Sequence, residues 1–296
     1  MNEWRKIERD VRDELGEGIT WNARENAIYW VDIKAAALNR MALDDGSIQR
    51  WSMPEPVGWV VQDACGDLIG GFQSGFGRIQ LDPLAVTPLF DPEPHFPGNR
   101  MNDGKADRHG AIWCGTMDMA EDHARGSLYR LDRDGACKVI DSGYMVPNGP
   151  AFSPCGRWLY HSDTALRTIY RLELGEAGIV NKQPFIVFSE DQGHPDGMTA
   201  DAEGHLWVAH WDGGRISRFT PDGTLNRSLP LPAKRVTNIC FAGAQLDRMF
   251  VTTAATGLAH SEFDGALYEI RPGVTGLPTH SYGGQLASSL KVDFAD

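Results

Sequence analysis

Glu17, Asn102, Asn148, Asp196 and Asn238 share one relation to the chain: each stands ten or eleven residues ahead of a short β-type run, as does Gly58. Five of these six positions therefore carry a carboxylate or carboxamide in one register. Polar side chains sent to one place from separate elements cost free energy unless something binds them. Two carboxylates with amide carbonyls form an all-oxygen set. Such a set suits a hard divalent cation better than a structural zinc site, which uses thiolate and imidazole. Taken singly, Asn148-Gly149, Asp196-Gly197 and Asp103-Gly104 are turn pairs. Taken together, in the same register of separate units, they read as a site.

Other chemistries lack their residues. A G-x-S-x-G elbow fails at Ser74, because Phe72 stands where glycine is needed. The nine histidines form no H-E-x-x-H. Gly104-Lys105 has neither the upstream glycine nor the following Ser/Thr of a phosphate loop, and Gly16-Glu17-Gly18 has Trp21 where a dinucleotide fingerprint needs glycine. Asp132-Arg133-Asp134-Gly135 begins like an EF-hand loop but reaches Gly143 where the loop needs Glu, so it reads as a hairpin turn.

The elements that must position the polar set repeat along the chain. The β-type runs begin at Ile28, Leu68, Ile112, Leu159, Leu206 and Met249, at intervals of 40, 44, 47, 47 and 43 residues. A period in the forties with three or four strands per unit marks propeller blades. Most runs follow an Asp-x-x-Gly turn or its relative (Asp63–Gly66, Asp107–Gly110, Ser153–Gly156, Asp201–Gly204). Each run precedes a third strand such as Leu128-Tyr129-Arg130-Leu131 or Ile169-Tyr170-Arg171-Leu172. Six units predict an all-β, six-bladed propeller of four-stranded antiparallel blades around a central channel, with each polar position at the start of an innermost strand. Trp4–Val11 belongs to no repeat and is expected to complete the last blade, closing the ring and covering an open sheet edge.

Composition narrows the partners. The chain has 296 residues, 42% of them apolar, and its 28 Lys+Arg against 40 Asp+Glu leave a formal charge of −12. That balance, with no basic cluster, argues against nucleic acid. No run approaches the roughly 18 apolar residues of a membrane helix. The charged Met1-Asn2-Glu3-Trp4-Arg5-Lys6 is followed by no apolar segment of the kind a secretory signal needs. Five cysteines (65, 114, 137, 155 and 240) show no CxxC pair, as expected of a reduced chain. One domain over 1–296 and a cytoplasmic location are expected. The oligomeric state is left open.

At these same residues the chain resembles the SMP-30/gluconolactonase family. The resemblance is carried by Leu15-Gly16-Glu17-Gly18-Ile19-Thr20-Trp21, Asn99-Arg100-Met101-Asn102-Asp103-Gly104-Lys105, Cys114-Gly115-Thr116-Met117, Pro147-Asn148-Gly149-Pro150, Pro195-Asp196-Gly197-Met198 and Leu206-Trp207-Val208-Ala209. It implies a six-bladed propeller, in agreement with the repeat count. It also implies Glu17, Asn148 and Asp196 as metal ligands, Arg100 as the cation that orients substrate, and Asn102 and Asp103 as further substrate contacts. The first motif departs from the G-E-S-P usual in vertebrate members, keeping the acid and replacing the two residues after it with Gly18 and Ile19. The acid that relatives place after the G-T-M block has three candidates here, Asp118, Glu121 and Asp122.

The expected activity is hydrolysis of a small-molecule sugar lactone to its aldonic acid. One divalent ion would polarise the lactone carbonyl and acidify water. Calcium is favoured over manganese, magnesium or zinc, because it tolerates irregular oxygen shells. Asp196 either takes the water's proton or only orients that water. Two other readings are a paraoxonase-like propeller hydrolase of phosphotriesters or aryl esters, whose sites usually carry a His pair, and a non-enzymatic calcium-binding propeller.

Overall fold

A computed structural model describes residues 4–175, 178–259 and 261–284. Residues 1–3 and 285–296 of the expected 1–296 domain lie outside the described residues. Within them, the strands form six four-stranded antiparallel sheets arranged as a ring, a six-bladed β-propeller, with one short 3-10 turn at Glu190–Gln192 as the lone helical element. The innermost strands are Gly16–Asn22, Val57–Gln62, Asn99–Ala106, Pro147–Phe152, His194–Ala200 and Arg235–Ala242. They are largely buried, as are the second strands beside them, whereas outer strands such as Leu84–Phe90 are largely solvated.

The core is divided into wedges between neighbouring blades. Trp59 and Val61 of blade 2 pack with Ile112 and Tyr129 of blade 3. Trp207 and Ile216 of blade 5 pack with Val236, Phe241 and Tyr268 of blade 6. The Asp-x-x-Gly turns stiffen these wedges. Asp107 Oδ1 accepts the His109 and Ala111 amides at 2.8 and 3.0 Å, while Oδ2 accepts Trp113 Nε1 at 2.8 Å. Asp201 repeats the arrangement with Glu203, His205 and Trp207. One side chain thereby shapes the turn and fixes the large ring buried six residues later. Asp132–Gly135 is the expected hairpin turn. All five cysteines are free.

Each inner strand carries a register shift where its polar position falls: between Glu17 and Thr20, Val57 and Trp59, Met101 and Gly104, Asn148 and Ala151, Pro195 and Met198, and Val236 and Asn238. A bulge frees one residue from the pairing ladder and re-aims its side chain. The propeller can therefore turn a polar group toward the axis while the rest of the strand keeps its apolar packing.

Two terminal segments complete the ring. Trp4–Ile7 pairs antiparallel with Leu267–Ile270 and is the outer strand of blade 6, as expected. Trp4 packs edge-on against Tyr268, with ring centroids 5.5 Å apart. The segment around 275–284 crosses the opposite end of the channel from Glu17. Ala202 donates to Thr275 O at 2.9 Å, the Tyr282 amide to Gln62 O at 2.7 Å, and the Gly283 amide to Gly110 O at 2.9 Å. Tyr282 is fully buried, and its hydroxyl donates to Asp132 O at 2.9 Å.

The closed ring predicts one cooperative unfolding transition. Deleting residues 1–7 should lower its unfolding free energy by roughly 3 kcal/mol or more, since it uncovers a sheet edge and unpacks Trp4. Denaturant titration reads this directly, and an unchanged midpoint would show that the N-terminal strand does not hold the ring.

Candidate metal and substrate site

The inner-strand positions meet in two hydrogen-bonded chains that cross between blades. In the first, Asn238 Nδ2 of blade 6 donates to Glu17 Oε2 of blade 1 at 3.1 Å and to Asp103 Oδ2 of blade 3 at 3.2 Å. In the second, Arg100 Nη1 donates to Asn102 Oδ1 at 2.8 Å, and Asn102 Nδ2 donates to Asn148 Oδ1 at 3.1 Å and Pro147 O at 2.7 Å. Asn148 Nδ2 then donates to Thr164 Oγ1 at 2.9 Å, and that hydroxyl donates to Pro195 O, beside Asp196, at 2.7 Å. Glu17, Asn102, Asp103, Asn148, Asp196 and Asn238 are all buried.

Two glycines make room for this convergence. A Cβ on Gly58 would lie 2.4 Å from Asn102 O, and one on Gly197 would lie 2.3 Å from the Asn238 amide carbon. The glycine at the register position of blade 2 is thus a steric requirement: Asn102 of the next blade occupies the space a side chain would take.

Charge dominates the axis. Burial, reinforced by the neighbouring charge of Asp103, pushes the Glu17 carboxyl up to about 8. Burial and the charges of Glu17 and Asp103 hold Asp196 well above the carboxylate range, and burial raises Asp103. The nearby cations are Arg100 and Lys105, each lowered by burial and supported by these acids. Lys105 Nζ also donates to Met198 O at the far side of Asp103. Among the described residues, no three His, Cys, Asp or Glu side chains are close enough to hold an ion by themselves. A cation here therefore needs amide oxygens and water beside the acids. The donor set fits one: the acids are held near neutrality by mutual repulsion and burial, which a dication would relieve. The Asn148 amide has its nitrogen committed to Thr164, which fixes its oxygen as the acceptor facing Asn102.

The six residues expected at the site are brought together. Asp103 joins the group as the acid nearest Glu17 in electrostatic effect, bonded through Asn238 and the Gly104 amide at 2.8 Å. Of the three acids after Gly115-Thr116-Met117, Glu121 is the one whose charge acts on Arg100. Asp118 is instead engaged with His123 Nδ1 at 3.2 Å. Thr164 escaped sequence reading because its role depends on a hydroxyl lodged between two blades. Asn238 had a signal, its register position, and its bridging role needs the neighbours. The loop before Arg100's strand meets the loop after the neighbouring strand Ile112–Asp118: the Met119 amide donates to Gly98 O at 3.0 Å, and Arg125 lies over the Phe96 ring at 6.0 Å. A separate cavity of about 210 Å³ lies in the channel between Asp103 and Lys105 at one end and Leu277, Pro278 and His280 at the other.

Comparison with known proteins gives the family and the same fold. A 6-deoxy-6-sulfogluconolactonase of Pseudomonas putida is 32% identical, covering 96% of this chain and all of that protein. A pentonolactonase of Haloferax volcanii is 33% identical, covering 91% of this chain and 94% of its own length. The crystal structure of regucalcin from Agrobacterium tumefaciens, described as a calcium-binding protein, superposes with a TM-score of 0.88 at 26% identity, covering 94% of this chain and 96% of that one. The SMP-30/gluconolactonase/LRE-like family model matches residues 15–255, the stretch from just before Glu17 to the second strand of the last blade, and the chain belongs to that family.

Proposed function

We propose that the protein is a sugar-lactone hydrolase, a carboxylic ester hydrolase opening an aldonolactone to its aldonic acid. The observation that carries this reading is the convergence of Glu17, Asn148 and Asp196 on one axis, with Arg100 and Asn102 bonded to each other at its rim. The names of the lactonase relatives support the substrate class. Glu17, Asn148 and Asp196 would hold one divalent ion, with calcium favoured over manganese, magnesium or zinc. Such an ion supplies Lewis-acid polarisation of the lactone carbonyl and lowers the pKa of water.

The chain's own groups do the rest. Arg100, anchored through Asn102 and Met101 O, presents a fixed cation to the lactone's oxygens. Asn102 keeps its amide nitrogen on Pro147 and Asn148, which fixes the rim between blades 3 and 4. Asp196, buried beside Glu17 and Asp103, either takes the proton of the attacking water or orients that water. The paraoxonase-like alternative looks for a His pair. His161 and His210 are fully buried inside blades 4 and 5, pushed down by burial to about 3 and 4. That supports the lactonase reading over it.

A pH-indicator assay on gluconolactone, xylonolactone and arabinonolactone tests the proposal. Glu17→Ala, Asn148→Ala and Asp196→Ala should each lower kcat/KM by about 100-fold or more, and EDTA should abolish turnover. Arg100→Ala should act mainly by raising KM. Full activity in EDTA would sink the metal-dependent mechanism, and bound calcium without turnover of any lactone would favour a binding protein.

Glu17 makes a second, separable prediction for the metal-free protein. Its folded carboxyl titrates at about 8 against an ordinary 4.5, so between these pH values the folded state keeps a proton that the unfolded state has lost. Stability therefore falls as pH rises through that window. Relative to Glu17→Gln, metal-free wild type should lose roughly 1–3 kcal/mol between pH 5 and 8. Adding calcium at pH 8 should restore wild type and leave Glu17→Gln little changed. Parallel stability curves for the two proteins would refute the charge frustration at the axis.

A further inference from the structure

Thr164 follows strand Trp158–Asp163 of blade 4, and each of its polar atoms is engaged. Its amide donates to Val146 O at 2.9 Å, and its carbonyl accepts the Arg167 amide at 3.0 Å. Because a carbonyl only accepts, His194 Nδ1 is the donor in its 3.0 Å contact with Thr164 O. The hydroxyl accepts from Asn148 Nδ2 at 2.9 Å and donates to Pro195 O at 2.7 Å. One residue thus ties Val146 and Asn148, beside the start of one inner strand, to His194 and Pro195, at the start of the next.

The hydrogens of this chain can run in one direction only. At one end the Arg100 guanidinium has nothing to accept with, so Asn102 must turn its oxygen toward it. Asn102 Nδ2 then faces Pro147 O and Asn148 Oδ1. At the other end Pro195 O can only accept, so the Thr164 hydroxyl spends its one hydrogen there. Its remaining bond must come from a donor, the Asn148 nitrogen. Reversing the Asn148 amide would set its NH2 against that of Asn102 at the present 3.1 Å. It would also offer Thr164 an acceptor when no hydrogen is left. Both ends therefore demand the same orientation, in which Asn148 Oδ1 accepts from Asn102 and has a second lone pair.

We propose that Thr164 is a positioning residue for the metal site: with one hydroxyl it fixes the amide of Asn148 and ties it to the backbone beside Asp196. The inference rests on the reading of Asn148 and Asp196 as ligands of one divalent ion. An amide free to turn, on a strand free to shift against its neighbour, must be ordered when the ion arrives, and that ordering costs affinity. Thr164 removes the cost beforehand, as the outer partners of metal ligands do. It acts through Asn148 and Pro195 and needs no contact with the ion or the substrate.

Calorimetric titration of the metal-free protein with calcium reads the affinity without any substrate. Thr164→Val keeps the shape and removes the hydroxyl. It should weaken calcium binding about tenfold or more, whereas Thr164→Ser keeps the hydroxyl and should stay within about threefold of wild type. In the lactonase assay Thr164→Val should need about tenfold more calcium for half-maximal rate and approach the wild-type kcat once calcium saturates. A merely structural role would lower the unfolding midpoint and leave calcium affinity unchanged. Wild-type calcium affinity in Thr164→Val, or a Thr164→Ser as weak as Thr164→Val, overturns the positioning role and leaves the metal reading standing. No binding of calcium, manganese, magnesium or zinc by wild type removes both. Thr164→Ala should weaken calcium binding likewise, so a valine variant that folds poorly still leaves the proposal open to refutation.

Discussion

Three carboxyl groups, Glu17, Asp103 and Asp196, are drawn out of water toward one axis, where the charge of Asp103 raises Glu17 and the charges of both raise Asp196. Left alone, that repulsion would push the blades apart or keep the acids protonated. The ring answers it locally with amide hydrogens. Asn238 shares its Nδ2 between Glu17 and Asp103, and the Gly18, Gly104 and Gly197 backbone amides lower the three acids in turn. These donors soften the repulsion without cancelling it, since burial still leaves Glu17 at about 8. The residual frustration favours positive charge near the axis, which Arg100 and Lys105 supply.

Holding like charges together requires a scaffold that cannot relax radially. Six interblade wedges, each packed from two neighbouring sheets, make every blade depend on the next, and Trp4–Ile7 joins the last blade to the start of the chain. A closed ring has no end from which to open. The bulges place the cost where it is useful. The pairing shifts beside or at each polar position, while neighbours such as Ile19, Met101, Met198 and Ile239 stay in apolar packing.

Much of this was legible in sequence because a propeller is periodic. The run starting at Ile28 and its five successors became the second strands of the blades, and counting back from them reached the inner-strand positions. The unpaired Trp4 segment became the missing strand of blade 6. Periodicity could not reveal what depends on the neighbours across a wedge. Thr164 looks like any residue after a strand until its hydroxyl is found between Asn148 and Pro195. Asn99 looks like the first letter of a motif until Glu93, six residues earlier, claims its nitrogen. The strap at 275–284 has no strand pattern, and its hydrogen bonds go to scattered turns at Gln62, Gly110 and Ala202. Choosing Glu121 over Asp118 and Asp122 likewise needed the direction of a loop whose three candidates are all acidic.

The two ends of the channel are built for different purposes, and the difference sets the dielectric at the site. At the far end, Leu277, Pro278 and His280 partly cover the opening, with Tyr282 buried nearby, so the space beneath Asp103 and Lys105 is a partly covered cavity of about 210 Å³. At the near end, Arg100, Phe96 and the 118–125 loop form a rim. Charges at the axis are thus backed by protein on one side and reached from the other. Coulomb interactions weaken as the effective dielectric rises, so a channel open at both ends would dilute the field of Glu17 and Asp196 that anchors Arg100. The strap, far from any reacting atom, strengthens that field by covering part of the far opening.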